Sequence, residues 1–329
     1  MLFRSKVAGI GSFLPEKILT NYDLEKMVDT SHDWIVQRTG IERRHVVDEN
    51  EGTSDLCVRA ANNALKDANM TIDQIDLIMV ATVTPDYKMP ACACLVQAKL
   101  GAKNIMAFDI NAACSGFIYG LFIADQFIKT GVYKNILVIG AESLTRLLNY
   151  KDRDTCILFG DGAGAFILSQ TNATDENYLM TAHAHAEGVH AELLWSKGGG
   201  TRYPISQQVI DEGSHYMQMK GKEIFKHATR TMATACKEAL AAVGKTAADI
   251  DWIVPHQANL RITEAVANQF DFPMTRIIST VHETGNTSAA SIPIAFDMAY
   301  KEGRIKRGQL ILLTAFGAGL TSGSAILRF

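Results

Sequence analysis

The sequence has little excess of either charge and no long uninterrupted apolar run. Its 32 Lys and Arg residues nearly balance its 35 Asp and Glu residues, which gives a formal net charge of −3. No overall positive field therefore favours nucleic acid, and we expect no nucleic-acid partner. Gly9, Gly11 and Pro15 interrupt the first apolar stretch, which is too short for a signal peptide or a membrane span. We expect no membrane attachment and a cytoplasmic location.

Cysteine is also sparse for a chain of this length. Six cysteines among 329 residues do not resemble a disulfide framework and fit a reducing compartment better. Cys92 and Cys94 have no second pair at zinc-ligand spacing. His183, His185 and His190 lie in an irregular, glycine-rich region, where histidines are mostly solvated. The sequence therefore predicts no metal site.

Buried apolar runs alternate with amphipathic helical patterns, which is typical of an α/β fold. The second half of the chain repeats the first, because a shift of 175 positions aligns Ile78 with Ile253 without a gap. We interpret this as two similar units, residues 1–172 and 173–329, packed as a pseudo-symmetric pair. Between them, residues 181–219 predict a long irregular surface insertion, and such loops are often functional.

Cys114 stands where a short apolar run, Met106–Ile110, changes into a long apolar segment with helical spacing, Gly116–Ile128. Backbone N–H groups are unpaired at such a strand-to-helix turn, and the helix dipole favours negative charge there. This position is expected to lower the thiol pKa and make a nucleophilic thiolate. On this stretch alone, a buried core cysteine is the alternative.

Two further polar residues occupy comparable positions. His256 follows an apolar strand pattern and a proline, and Asn286 lies in a Gly/Thr/Ser turn before a small-residue helix. The 175-residue shift aligns Asn286 with Asn111, and Ala289 with Cys114. Pseudo-twofold packing would therefore bring the two turns and the histidine to one site. Taken singly, His256 is as readily a satisfied buried histidine, and Asn286 a helix cap.

A clear amphipathic helix is predicted over residues 221–243. Lys222, Lys226 and Arg230 form a stripe at four-residue spacing on its surface. Such a stripe on a mildly acidic protein suits an acidic partner. An ordinary solvated helix face is the equally simple alternative.

Three segments resemble the signature segments of the β-ketoacyl-acyl carrier protein synthase III family: Ala112–Phe117, Pro255–Asn259 and Gly285–Ser291. The resemblance covers essentially the whole chain. It implies the α/β thiolase-like fold, in which two pseudo-repeated halves form a layered α-β-α-β-α sandwich. The asparagine is the informative residue, because elongating ketoacyl synthases have a second histidine at that place and thiolases use a second, C-terminal cysteine.

The resemblance also implies an activity, an acyl transfer followed by condensation. Cys114 would take the acyl group of a short acyl-CoA, with acetyl-CoA expected. His256 and Asn286 would stabilise the enolate formed when malonyl-acyl carrier protein loses CO2, and the β-ketoacyl product would begin fatty acid synthesis. No metal or redox cofactor is implied, and the family habit is a homodimer.

Residues that contact substrate and partner are implied in the same way. The expected CoA contacts are Thr30, Trp34, Arg38, Arg153, Phe225 and Asn259, with the adenine held between Trp34 and Arg153. The expected contacts with acyl carrier protein are Lys226, Gln257 and Arg261. Met89 and Ala318 are expected at the acyl pocket, in place of the phenylalanine and the glycine common in relatives. Because of these two differences, the sequence does not fix the length or branching of the primer acyl group.

Two other functions remain compatible with the sequence. One is a related CoA-primed condensing enzyme of secondary metabolism, which would share the Cys-His-Asn set without docking a carrier protein. The other is a non-catalytic acyl-binding homologue on the same fold, against which the intact Cys114, His256 and Asn286 argue.

Overall fold

The computed structural model describes residues 3–329. The strands, in chain order, are β1 (Arg4–Phe13), β2 (Lys17–Thr20), β3 (Arg43–Val46), β4 (Leu77–Ala81), β5 (Met106–Ile110), β6 (Asn135–Ser143), β7 (Asp161–Thr171), β8 (Leu179–Ala186), β9 (Leu194–Trp195), β10 (Gln218–Met219), β11 (Trp252–Pro255), β12 (Leu310–Gly317) and β13 (Thr321–Arg328). The α-helices are α1 (Asn21–Leu24), α2 (His32–Thr39), α3 (Thr53–Asp67), α4 (Cys92–Leu100), α5 (Gly116–Lys129), α6 (Arg153–Cys156), α7 (Gln207–Asp211), α8 (Gly221–Ala242), α9 (Leu260–Phe270), α10 (Val281–Thr284) and α11 (Ser291–Lys301). None of the helices within this range combines the length and apolar character needed to cross a bilayer.

Two sheets form the framework. The first has the strand order β1-β7-β6-β4-β5, and the second has the order β8-β13-β12-β11. β4 runs parallel to β5 and β6, and β11 runs parallel to β12, while the other neighbours are antiparallel. β4 and β12 are buried along their whole length. Their continuous apolar sequences match strands that are covered on both faces.

Helices cover both sheets on both sides. α5 and α11 lie between the sheets and share one apolar core with strands of each. α3 and α4 pack on the outer face of the first sheet, and α8 and α9 pack on the outer face of the second. The layers follow the order helix, sheet, helix, sheet, helix, which confirms the predicted α-β-α-β-α sandwich.

The elements recur at the spacing read from the sequence. A shift of 175 carries the first residues of four elements onto those of four later ones: Arg4 to Leu179, Leu77 to Trp252, Gly116 to Ser291 and Asn135 to Leu310. β5 has no strand counterpart, and a single bridge between Ile253 and Ile277 occupies that edge of the second sheet. The first sheet uses residues 4–171 and the second uses residues 179–328. We retain the division at residues 172 and 173 as a proposed domain boundary.

The region 181–219 differs in part from the prediction. Residues 181–186 are not irregular but belong to β8, an edge strand paired with β13. The apolar signal of an edge strand is weak, and here Thr181, His183 and His185 alternate with small residues. The rest of the region contains a 3₁₀ turn at Gly188–Leu193, the short β9–β10 ladder and α7.

Candidate active site

Side chains from both halves line one cavity with a volume of about 620 Å³. Cys114 comes from the first half of the chain, and His256, Asn286 and Gly317 come from the second. The three residues that the sequence suggested as a catalytic set therefore share one space. The wall of this cavity is mostly apolar and includes Phe225 and Phe316.

Cys114 lies in a 3₁₀ turn, Ala113–Ser115, between β5 and α5. Its side chain is buried. Gly317, the last residue of β12, approaches this turn so closely that a Cβ atom on it would lie 2.6 Å from the Cys114 backbone nitrogen. Only glycine permits that approach, which places the backbone of β12 directly against the cysteine turn.

Burial changes the expected chemistry of the thiol. It raises the pKa of Cys114 to about 12, a hydrogen bond with the Ser288 hydroxyl acts in the opposite direction, and the Glu142 carboxylate adds to the rise. The expected lowering of the thiol pKa at the helix N-terminus is therefore wrong for the free protein, because desolvation of the thiolate is the larger effect. With this raised pKa, the free side chain of Cys114 is a neutral thiol at physiological pH.

His256 directly follows β11 and is buried. Its backbone N–H donates to the Thr314 carbonyl at 2.8 Å, and its Nδ1 lies 2.7 Å from the Ser291 hydroxyl oxygen. Burial lowers the pKa of His256 to about 3, so the imidazole is neutral at physiological pH. When Ser291 donates to Nδ1, the proton of the neutral ring is on Nε2.

Asn286 is fastened to the first half of the chain through its backbone. Its N–H donates to the Leu158 carbonyl at 2.9 Å, and its carbonyl accepts from the Gly160 N–H at 3.0 Å. Its side-chain oxygen accepts the Ser288 N–H at 2.9 Å. Because the oxygen is occupied in this way, the NH2 group of Asn286 is the part left to donate into the cavity.

A buried carboxylate behind the cysteine was not anticipated. Glu142, near the end of β6, accepts hydrogen bonds from Thr84 Oγ1 at 2.6 Å and from the Val83 N–H at 3.2 Å. Burial raises its pKa to about 7, against the lowering effect of these bonds and of one from Ser288. The Ser288 side chain thus lowers the pKa of both Cys114 and Glu142. The signal in the sequence was a lone charged residue following the apolar run 136–141.

Most of the expected CoA contacts surround the mouth of the cavity. Trp34, Arg38, Phe225 and Asn259 line it. The guanidinium carbon of Arg153 lies 4.8 Å from the centroid of the Trp34 ring. The two side chains are therefore already in contact, and an adenine between them requires Arg153 to move away.

Thr30 and the two acyl-pocket residues are not among those that line this cavity. The hydroxyl oxygen of Thr30 is buried and has no hydrogen-bond partner within residues 3–329. Met89 is 82% exposed. Ala318 is half-buried, and its carbonyl accepts from the Thr321 hydroxyl at 3.0 Å.

The residues expected to meet a carrier protein divide into two kinds. Lys226 and Arg261 are exposed, and Arg261 lies 5.8 Å from the ring of Phe225 at the cavity wall. Gln257, by contrast, is only 1% exposed. Its amide donates to the carbonyls of Pro255 and Ile278 and accepts the Thr280 N–H. Gln257 therefore links buried segments next to His256 by hydrogen bonds and cannot be part of an exposed docking face.

Comparison with known proteins places the chain in a family. The family model described as 3-oxoacyl-[acyl-carrier-protein (ACP)] synthase III matches residues 108–188, and the model of its C-terminal part matches residues 240–329. A β-ketoacyl-[acyl-carrier-protein] synthase III of Caldanaerobacter subterraneus subsp. tengcongensis is 49% identical over 98% of this chain and 97% of its own length. This chain belongs to the β-ketoacyl-[acyl-carrier-protein] synthase III family. Members of this family are condensing acyltransferases, and so is this chain.

Solved structures agree with that assignment. The crystal structure of 3-oxoacyl-[acyl-carrier-protein] synthase III from Aquifex aeolicus superimposes with a TM-score of 0.92 at 46% identity, over 99% of this chain and 100% of that one. The priming β-ketosynthase of the R1128 polyketide pathway has the same TM-score of 0.92 at 30% identity, over 99% of this chain and 96% of its own. The thiolase-like fold is thus shared by enzymes of fatty acid and polyketide synthesis.

Proposed function

We propose that this chain catalyses the decarboxylative Claisen condensation of a short acyl-CoA, with acetyl-CoA as the expected primer, and malonyl-acyl carrier protein. This is the condensation that begins fatty acid synthesis. The observation that carries the proposal is the presence of Cys114, His256 and Asn286 on the wall of one cavity. The reaction needs a nucleophile and two hydrogen-bond donors around one acyl group, and these three side chains provide them.

In the first half-reaction, the sulfur of Cys114 attacks the thioester carbonyl of acyl-CoA. CoA leaves as the thiolate and takes up the proton lost by Cys114, with the His256 ring as the carrier. Backbone N–H groups of Cys114 and of the Gly317–Gly319 turn would bind the oxyanion. The close approach of Gly317 to the cysteine turn supports this arrangement.

In the second half-reaction, malonyl-carrier protein loses CO2, and the electron pair of the broken C–C bond moves into an enolate. Nε2–H of His256 and the NH2 group of Asn286 would donate to the enolate oxygen. The enolate carbon then attacks the acyl group on Cys114 and releases the thiolate, which takes up a proton from solvent. Every step balances without a redox cofactor or a metal ion.

Ser291 is suited to both half-reactions. The first needs Nε2 of His256 as a proton acceptor, and the second needs Nε2–H as a donor. A hydroxyl can donate to Nδ1 or accept from it, so Ser291, 2.7 Å away, serves either tautomer. We infer that Ser291 positions the His256 ring and does not contact substrate.

Docking of the acidic carrier protein is assigned to Lys226 and Arg261, which are exposed beside the Phe225 side of the cavity mouth. The double variant Lys226→Glu/Arg261→Glu should raise KM for malonyl-carrier protein at least about tenfold, because reversal of charge opposes encounter. Acylation by acetyl-CoA should stay unchanged. The matched control is Lys237→Glu, an exposed lysine later on α8. Unchanged KM in the double variant would remove the docking assignment.

A homodimer is part of the same proposal. β5 is an edge strand of the first sheet, and its outer backbone groups are available to a second copy of the chain. Met89 is 82% exposed and suits a residue that reaches into the acyl pocket of a partner. Size-exclusion chromatography with light scattering should give twice the monomer mass. A cytoplasmic location also belongs to the proposal.

The competing function is a CoA-primed condensation in secondary metabolism, which the likeness to a polyketide priming ketosynthase favours. The two are separated by supplying acetyl-CoA together with either malonyl-carrier protein or malonyl-CoA and detecting the β-ketoacyl product by mass spectrometry. We expect turnover with malonyl-carrier protein and at least about tenfold less with malonyl-CoA. Equal or greater turnover of malonyl-CoA would favour the competitor. Absence of any product would favour an acyl-binding protein.

A further inference from the structure

Three potential metal ligands come together outside the catalytic cavity. Glu187 precedes the 3₁₀ turn Gly188–Leu193, which carries His190, and His227 lies on α8. One ligand atom of each lies within 4.8 Å of those of the other two. The His190 N–H donates to the Glu187 carbonyl at 3.2 Å, so a closed turn holds these two side chains near each other.

One of these ligands lacks a partner inside the protein. Nδ1 of His227 is buried and makes no hydrogen bond within residues 3–329. The His190 and His227 rings stack obliquely instead, with centroids 4.4 Å apart and planes at 52°. A buried polar atom without a partner is costly, and a cation bound through Nδ1 of His227 would provide one.

The neighbouring histidines of the same region are in a different state. His185 Nε2 lies 2.7 Å from Glu238, and His183 Nδ1 lies 3.4 Å from the same carboxylate. Both side chains therefore interact with Glu238 and not with Glu187. The sequence analysis considered His183, His185 and His190 together and predicted no metal site. In the fold the first two contact Glu238, and His190 lies instead with Glu187 and His227.

The donor set decides the class of ion. Two imidazoles and one carboxylate, with a fourth position open to water, suit Zn²⁺ and related divalent transition metals rather than Ca²⁺ or Mg²⁺. Ligand atoms on a tetrahedral zinc ion lie about 3.4 Å apart, given bonds of about 2.1 Å. Adjustment of exposed Glu187 and half-buried His190 by about 1 Å would complete the geometry.

We propose that Glu187, His190 and His227 form a binding site for Zn²⁺ or a similar divalent transition metal. The ion would tie the Gly188–Leu193 turn to α8. Directly after that turn, Leu194 packs in one cluster with Ala228, and both residues line the catalytic cavity. Metal binding would therefore stiffen one wall of the cavity without entering the reaction. This site does not depend on the proposed condensation.

The test is zinc binding by the full-length protein after chelator treatment, measured by isothermal titration calorimetry. Cys94 is an exposed thiol that would compete for zinc, so the background is Cys94→Ser. We expect a single tight site, loss of at least about tenfold in affinity with His190→Ala or His227→Val, and no loss with the matched control His185→Ala. Co²⁺ should give the absorption of a tetrahedral site in the background protein alone.

Two outcomes would overturn the proposal: no binding of zinc by the background protein, or binding of unchanged affinity in both His190→Ala and His227→Val. Circular dichroism checks that the variants fold, and Glu187→Gln, an exposed conservative change, gives a third measurement if one of them does not. Zinc should also raise the melting temperature of the background protein and leave that of His227→Val unchanged.

Discussion

The turn that carries Cys114 (Ala113–Ser115) and the turn that follows Asn286 (Ser288–Ala290) have the same backbone conformation. Ala113 has a φ of 46° and Ser288, its counterpart 175 residues later, has a φ of 48°. Each lies in a 3₁₀ turn that leads into a helix between the sheets. The side chains differ, because Cys114 carries a thiol where Ala289 carries a methyl group. In the proposed reaction, one half supplies the nucleophile and the other supplies the hydrogen-bond donors.

The surroundings of the two turns differ as well. In the first half, β5 leads to the cysteine, and its Asp109 carboxylate accepts the backbone N–H groups of Cys92 and Ala93 at 2.7 Å. In the second half no strand forms there, and the backbone of Asn286 bonds to Leu158 and Gly160 of the first half instead. The backbone of Asn286 is therefore held in place across the proposed boundary between the halves.

Of the changes that test this difference between the turns, removal of the Cys114 thiol should lower the condensation rate most. Cys114→Ala should lower condensation by at least about 10³-fold, the scale seen when a covalent nucleophile is lost. Adding Ala289→Cys to that variant should not restore activity, because Ala289 is 1% exposed and is not among the residues that line the cavity. Product formation by the double variant would show that the turns are interchangeable.

Loss of one hydrogen-bond donor to the enolate should have the next largest effect on the condensation rate. Asn286→Ala should lower condensation by about 10²–10³-fold, because the enolate loses a hydrogen bond. Acylation of Cys114 should continue. Its twin, Asn111→Ala, is the matched control, since Asn111 is exposed at the equivalent position, and its condensation rate should stay within about threefold of the parent. Equal losses at the two asparagines would contradict the division of roles.

Stability should respond to pH through the buried histidine. The pKa of His256 is about 3 in the folded protein, against an ordinary value of 6.5. Acidification below pH 6.5 therefore favours the unfolded chain, because there only the unfolded chain binds the proton. Glu142 has the opposite effect. Its pKa is about 7 in the folded protein, against an ordinary value of 4.5, so acidification from pH 7 to 4.5 favours the folded protein, which binds the proton first. Each slope is at most about 1.4 kcal/mol per pH unit.

The variant His256→Asn removes the contribution of His256 to the pH dependence of stability and keeps that of Glu142. Relative to the parent, its free energy of unfolding between pH 6.5 and 4.5 should rise by up to about 2.7 kcal/mol as the pH falls. Urea unfolding across that range measures the difference. Parallel pH curves for parent and variant would contradict a neutral, desolvated imidazole.

The backbone shared by the turns gives the smallest expected effect. Non-glycine residues at positive φ are strained, so Ala113→Gly should raise the free energy of unfolding by about 0.5–1 kcal/mol. Ser288→Gly should gain less, because it also loses the hydroxyl that lowers the pKa of Cys114 and of Glu142. Equal gains in chemical unfolding experiments would show that the Ser288 hydroxyl contributes nothing to stability.

The sequence was most informative where local pattern and duplication agree. The apolar runs of β4 and β12 and the turn at Cys114 are local features, and they were enough to predict an α/β fold. The 175-residue repeat predicted two similar halves, and the five-layer sandwich was implied by the family resemblance. The thiol pKa, the inward orientation of Gln257 and the proximity of Glu142 depend on packing between distant segments. Strand β8 was missed at residues 181–186 because an exposed edge strand has little apolar signal.

The central claim is that thiol, imidazole and carboxamide act on one acyl group in one cavity. It is tested most directly by intact-protein mass spectrometry of the parent and Asn286→Ala, first with acetyl-CoA and then after addition of malonyl-carrier protein. Both proteins should gain one acetyl group on Cys114, and the parent alone should lose it rapidly in the second step. An acetyl group on another residue, or equally fast loss from both proteins, would contradict the account.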